Sequence, residues 1–253
     1  MEFPLLFALS SFIGMWLAVK IGLLIRTRLR PPAKDEREDF GMIEGATLTL
    51  LGLIIGFSFS MATSRYDQRK NDEATEASAI GTEFFYADFL PPNHAARVRE
   101  LLKKYADLRI AFYETRDRAQ LALVDRETSE VQTEMWSVVR ADAAAQPTSV
   151  TALVVAGMND VSSSQGYTQA AWSNRIPAEA WLLMVFVAVF DSLLLGYGSH
   201  SARALVSLVL PLVVSVTFFL ISDLDSPRRG LIHTYPQNLV SLSKSLNVER
   251  FSK

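Results

Sequence analysis

Cysteine is absent from the 253 residues, which excludes disulfide frameworks, thiolate metal sites and a cysteine nucleophile. Histidine is nearly absent: His94, His200 and His233 fall in separate polar segments and form no HExxH pair. A Gly-x-Ser-x-Gly elbow, a P-loop and a dinucleotide fingerprint are missing too. An enzyme is therefore not expected, and neither is a resident cofactor. Charge of one sign is also lacking. The 25 basic and 27 acidic residues leave a net charge of −2, with no overall basic field to draw nucleic acid. Charged residues are scarce at 21%, against about 25% in soluble domains.

What is abundant is apolar sequence, 49% of the chain, gathered into long runs. A helix crossing the roughly 30 Å hydrocarbon core needs about 20 mostly apolar residues. Four segments meet that length: Phe3 to Ile25, Met42 to Ala62, Ala178 to Gly198, and Ala204 to Ser222. Pro211 in the fourth is compatible with a membrane helix when neighbours satisfy the freed carbonyl. The first segment has no basic region before it and exceeds the roughly 7–15 apolar residues of a signal peptide, so it reads as a spanning helix. The expected class is an all-α integral membrane protein with four transmembrane helices, multi-pass in the cell (plasma or inner) membrane.

The spacing of these runs divides the chain. Residues 3–62 make a first transmembrane hairpin around the hydrophilic loop Arg26 to Gly41, and residues 178–222 a second hairpin around a tight turn from Tyr197 to Arg203. Between them, 63–177 are polar and long enough for a helical extramembrane domain, and 223–253 form a C-terminal tail. Ser64 to Leu90 reads as the second membrane helix continued into water, stopped by Pro91-Pro92. Asn93 is placed to cap the next helix, whose Leu101, Leu102, Tyr105, Leu108 and Phe112 repeat at helical spacing. Glu127 to Ala144 and Thr148 to about Trp172 read as two further helices. The acids Asp72, Glu73, Glu76 and Glu83 read as a solvated helix face that would ring the axis of an oligomer.

Orientation is not decided by the Lys and Arg count near the membrane ends. Arg26, Arg28, Arg30, Lys34, Arg37 and Arg203 lie on one side; Arg65, Arg69, Lys70, Arg175, Arg228 and Arg229 lie on the other. The side on which 63–177 sits stays open.

Three charges fall inside the apolar segments: Lys20, Glu44 and Asp191. An ionised side chain at the bilayer centre costs roughly 2.5–3.5 kcal/mol even on the lenient insertion scale. Asp191 and Lys20 lie about 10 and 8 Å below the same surface at 1.5 Å per residue, a depth match that permits an ion pair. Arg65, Arg69 and Lys70, just outside the bilayer, have the chemistry to hold anions or lipid phosphates, or to form a solvated collar. Asp223 and Asp225 either cap the last membrane helix or form part of a divalent-cation site.

The stretch Gly56-Phe57-Ser58-Phe59-Ser60-Met61-Ala62-Thr63-Ser64-Arg65-Tyr66-Asp67-Gln68-Arg69-Lys70-Asn71 resembles the bestrophins. Those proteins carry Gly-Phe in the pore helix, then Thr/Ala-x-Arg-aromatic with Gln and Asn as the helix leaves the membrane. The helix layout is similar as well. The run Asp223-Leu224-Asp225-Ser226-Pro227-Arg228-Arg229-Gly230 resembles a bacterial bestrophin-like family with an Asp-Leu-Asp-x-Pro-x-Arg-Gly motif after the last helix. The resemblance implies a homo-oligomeric, pentameric anion channel for chloride or other small anions, its pore lined by the second membrane helix. Carried over on the Gly-Phe match, the neck would include Phe57. Leu53 and Thr49, four and eight residues earlier, share its face. The sequence departs from the family where Thr49 is polar in place of an apolar neck residue and where the proline-bearing neck segment of animal members is absent; the acidic calcium clasp is also reduced to Asp223 and Asp225.

Two other readings compete with an oligomeric channel. In one, the helices anchor a helical interaction or sensor module in the bilayer and no ion passes. In the other, Glu44 and Asp191 serve a proton- or cation-coupled transporter; the repeats expected of one are not evident.

Overall fold

The computed structural model describes residues 3–28, 34–198 and 206–248. Among them there are eight α-helices and no strand: α1 (Pro4–Arg28), α2 (Lys34–Tyr86), α3 (Pro92–Glu114), α4 (Arg118–Ala145), α5 (Ser149–Ser173), α6 (Ala178–Gly198), α7 (Val206–Asp225) and α8 (Gln237–Val248). Four of these helices contain stretches long and apolar enough to cross a membrane. The turn expected from Tyr197 to Arg203 lies largely outside the described residues, as do His200 and Arg203.

The chain divides into two compact units. The first comprises residues up to Arg65 and Arg175–His233. Here α1 packs on α6 and α7, with Met15, Val19, Met184, Phe218 and Ile221 buried. Phe7, Trp181 and Phe218 form an aromatic cluster with ring centroids 5.0–6.2 Å apart. The α1–α6 crossing depends on two glycines. A Cβ at Gly22 would run into the Leu193 carbonyl oxygen, and one at Gly196 into the Val19 carbonyl oxygen. Lipid tails are as apolar as leucine, so helices in a bilayer gain from such close backbone approach rather than from excluding water.

The second unit holds Tyr66–Asn174 and the residues from Thr234 onward. Its core is built from Ile80, Phe84, Val98, Leu102, Tyr105, Met135, Val139, Val154, Met158, Val161 and Leu239, all buried. The tail is thus shared between the two units, and its helix α8 belongs to the helical one. The sequence reading placed no helix in the tail.

Local boundaries follow local chemistry. α2 ends at Tyr86 in a 3-10 turn, Ala87–Phe89, before the two prolines. Pro91 takes the N-cap position of α3 with Pro92 following, so Asn93 sits inside the first turn and is not the cap. α4 starts at Arg118 rather than near Glu127, because Asp117 accepts a hydrogen bond from the Gln120 backbone N–H at 2.9 Å. α5 opens with a capping box in which Thr148 and Thr151 exchange side-chain-to-backbone bonds.

Candidate functional site

The apolar part of α2 is the least covered of the four candidate spans. Only 6% of its apolar window is buried by its own chain, against 50% for α7. The buried positions there are Leu51, Ser58 and Ala62, which stack on one face at helical spacing. Thr49, Leu53 and Phe57 lie roughly 160–240° around the helix from that face at 3.6 residues per turn. All three are exposed, Leu53 at 56% and Phe57 at 64%. The Thr49 hydroxyl gives its proton to the Gly45 carbonyl at 2.7 Å, which leaves the β-methyl and the oxygen lone pairs facing outward. In a single chain this row stays largely uncovered.

The intramembrane charges adopt an arrangement that matching depth did not predict. No Lys20–Asp191 ion pair forms; Lys20 is exposed and its Nζ lies over the Trp16 ring, 5.6 Å from the centroid. The exposed lysine follows the snorkelling habit of long cations. Asp191 is fully buried and its charged neighbour is Glu44. The Thr47 hydroxyl borders Asp191, yet it bonds the carbonyls of Ile43 and Glu44 at 3.0 and 3.2 Å.

The basic collar is not a collar. Arg65 pairs with Asp225 at 3.4 Å, and Arg69 is buried. Lys70 alone of the three is exposed, with its Nζ 5.7 Å from the Tyr66 ring centroid. The acidic stretch is likewise not a solvated face: Asp72, Glu73, Glu76 and Glu83 are all buried. Glu76 pairs with Arg109 of α3 and accepts from Thr168 of α5 at 3.2 Å. Burial pushes its carboxyl above the usual range against the opposing pull of Arg109. Glu73 accepts from the Leu239 backbone N–H at 2.8 Å and from Asn238 at 2.6 Å, and so caps α8. Glu83 packs on Gly157 of α5 with neither oxygen hydrogen-bonded. Desolvation, with the like charge of Asp160, raises it to about 8.

Arg109 was the legible clue to this network. It stands one turn after Tyr105 on an otherwise apolar helix face, where a solvated arginine would not be.

Asp223 and Asp225 do not cap α7; their carboxylates accept backbone N–H groups from other segments. Asp223 accepts from the backbone N–H groups of Leu231 and Ile232, each at 2.7 Å. A side chain on Gly230 would meet the Asp223 carbonyl at 2.7 Å, which explains the glycine closing the motif. Asp225 accepts from the Ile176 N–H at 3.0 Å, while its carbonyl takes a 2.7 Å bond from Arg175. Among the described residues no three acidic or histidine side chains gather as a metal-binding group.

The apolar helices, the α1–α6–α7 packing and the helical unit joined through α2 define an all-helical membrane protein. The chain belongs to the Bestrophin-like family: the family model for the Bestrophin-like domain matches residues 13–239. The fold agrees with solved structures of a bacterial bestrophin homologue from Klebsiella pneumoniae. One single-substitution variant matches at a TM-score of 0.67 and 15% identity, over 94% of this chain and 95% of that one. Another matches at 0.67 and 14%, over 97% and 99%. At such identities the likeness is one of fold. No curated protein matches by sequence.

Proposed function

We propose that the protein is a homo-oligomeric anion channel, a pentamer conducting chloride, with α2 of each subunit lining the pore and Thr49, Leu53 and Phe57 forming its neck. The observation that carries this reading is the row of exposed side chains on α2, opposite the face its own chain buries. A helix this apolar, left bare by its own chain, is suited to stand beside copies of itself around an axis. Membership of the Bestrophin-like family supports the same assembly. Rings of Leu53 and Phe57 gate by dewetting, and the positive edge of a phenyl ring is a weak partner for a passing anion. Thr49 adds a ring of oxygen at one end. Family and site together favour conduction over a purely anchoring role, and no catalytic step is assigned.

Purified protein in liposomes should pass chloride, and Phe57→Ala should alter conductance or rectification. Cross-linking should give a ladder ending at five subunits. An inert wild-type preparation, or a monomer in native mass measurement, overturns the proposal in favour of a membrane-anchored interaction module.

A further inference from the structure

Asp191 sits seven residues before Gly198, about 10 Å from that end of α6 at 1.5 Å per residue. It is 0% exposed, and neither carboxylate oxygen has a hydrogen-bond partner. An unpaired carboxylate in a bilayer is expensive, and such residues in membrane proteins pair with a countercharge or mark an ion pathway. Among the described residues, groups near it come from each packed element. From α2 comes Glu44, a second acid, with Thr47 beside it. From α1 comes Lys20, which is turned away over Trp16. Arg26, nearer the end of α1, donates to the Gly198 carbonyl at 3.1 Å. α7 carries no titratable side chain between Leu208 and Ser222. On α6 itself Ser192 gives its proton to the Ala188 carbonyl at 2.7 Å. Two acids on neighbouring helices therefore stand together, and among the described residues no ion pair to either is formed. Glu44 is part-exposed and its carboxylate lies beside Gly198, which puts it at the mouth with Asp191 behind it.

We infer that Asp191 and Glu44 form an intramembrane site for a small monovalent cation, a proton or an alkali ion, taken up from solution. The donor set suits that class: carboxylate oxygens are hard ligands, and the flanking hydroxyls keep their lone pairs while their protons serve backbone carbonyls. The site needs no central pore, so it stands or falls apart from the channel proposal.

The test uses the full chain, purified in detergent. Its thermal midpoint is measured against pH and against sodium, potassium or bulky N-methylglucamine chloride, for wild type and for Asp191→Asn. Wild type should be stabilised by acid or by an alkali ion but not by N-methylglucamine, and Asp191→Asn should lose that dependence because a neutral amide needs no countercharge. Carbodiimide labelling of Asp191, mapped by mass spectrometry, separates the sources. Labelling that falls only with rising pH identifies the proton, and protection by sodium or potassium at fixed pH identifies the alkali ion. A wild-type midpoint indifferent to pH and alkali ions, or an unchanged dependence in Asp191→Asn, overturns the inference.

Discussion

The carboxylate of Glu83 lies against Gly157, in the space that a methyl group on that residue would take. Helix packing thereby encloses an acid whose oxygens find no hydrogen bond, in the same unit as the well-paired Glu76.

That enclosure predicts a pH dependence. Glu83 is raised to about 8, first by desolvation and then by Asp160. Below the ordinary carboxylate value both folded and unfolded chains hold the proton. Between there and about 8 only the folded chain does, so stability falls as pH rises through this window. Chemical denaturation of wild type from about pH 5 to about pH 9 should show that fall, and Glu83→Gln should flatten its share of it. A variant with the wild-type slope would rule out Glu83 as the source.

The α1–α6 crossing predicts a steric penalty. Replacing Gly22 or Gly196 by alanine inserts a methyl group against a main-chain carbonyl, an overpacking that typically costs about 1–3 kcal/mol. Unfolding in mixed detergent micelles should show the loss. Gly14→Ala is the control, since nothing lies within 4 Å of a Cβ there.

The α8 cap predicts a local effect. Glu73→Ala removes the acceptor for Leu239 and Asn238, and losing a helix cap costs about 0.5–2 kcal/mol. Hydrogen exchange should quicken over 237–248 while peptides from α1 and α6 stay protected. Uniform acceleration would mean that Glu73 supports the whole chain instead.

The backbone bonds to Asp223 and Asp225 predict indifference to calcium. Their oxygens already take backbone N–H groups, so calcium or a chelator should leave the melting temperature of wild type unchanged. A calcium-dependent rise that Asp223→Asn removes would reveal a cation site.

Much of the architecture was legible because bilayer thickness and helical rise are fixed lengths. Runs such as Ala178 to Gly198 announce a spanning helix without any knowledge of neighbours. Pro91-Pro92 and Thr148 likewise act through their own backbone or the next turn, although the start of α4 at Arg118, capped by Asp117, carried too weak a pattern to be recognised. The row Thr49, Leu53 and Phe57 followed from 3.6 residues per turn, but which way it faces did not.

Facing is a property of what else is nearby, and only the tertiary structure decides it. Spacing put Lys20 and Asp191 at one depth; rotation about the helix axes turned the lysine toward Trp16 and left the aspartate with Glu44. The acids from Asp72 to Glu83 look solvated in a polar sequence, yet they are buried: α3 and α5 bring Arg109 and Thr168 to Glu76, and α8 brings its N-terminus to Glu73. Sequence fixes period and length, which are local. Partnership between charges depends on contacts far apart in the chain, and those exist only once the helices have packed.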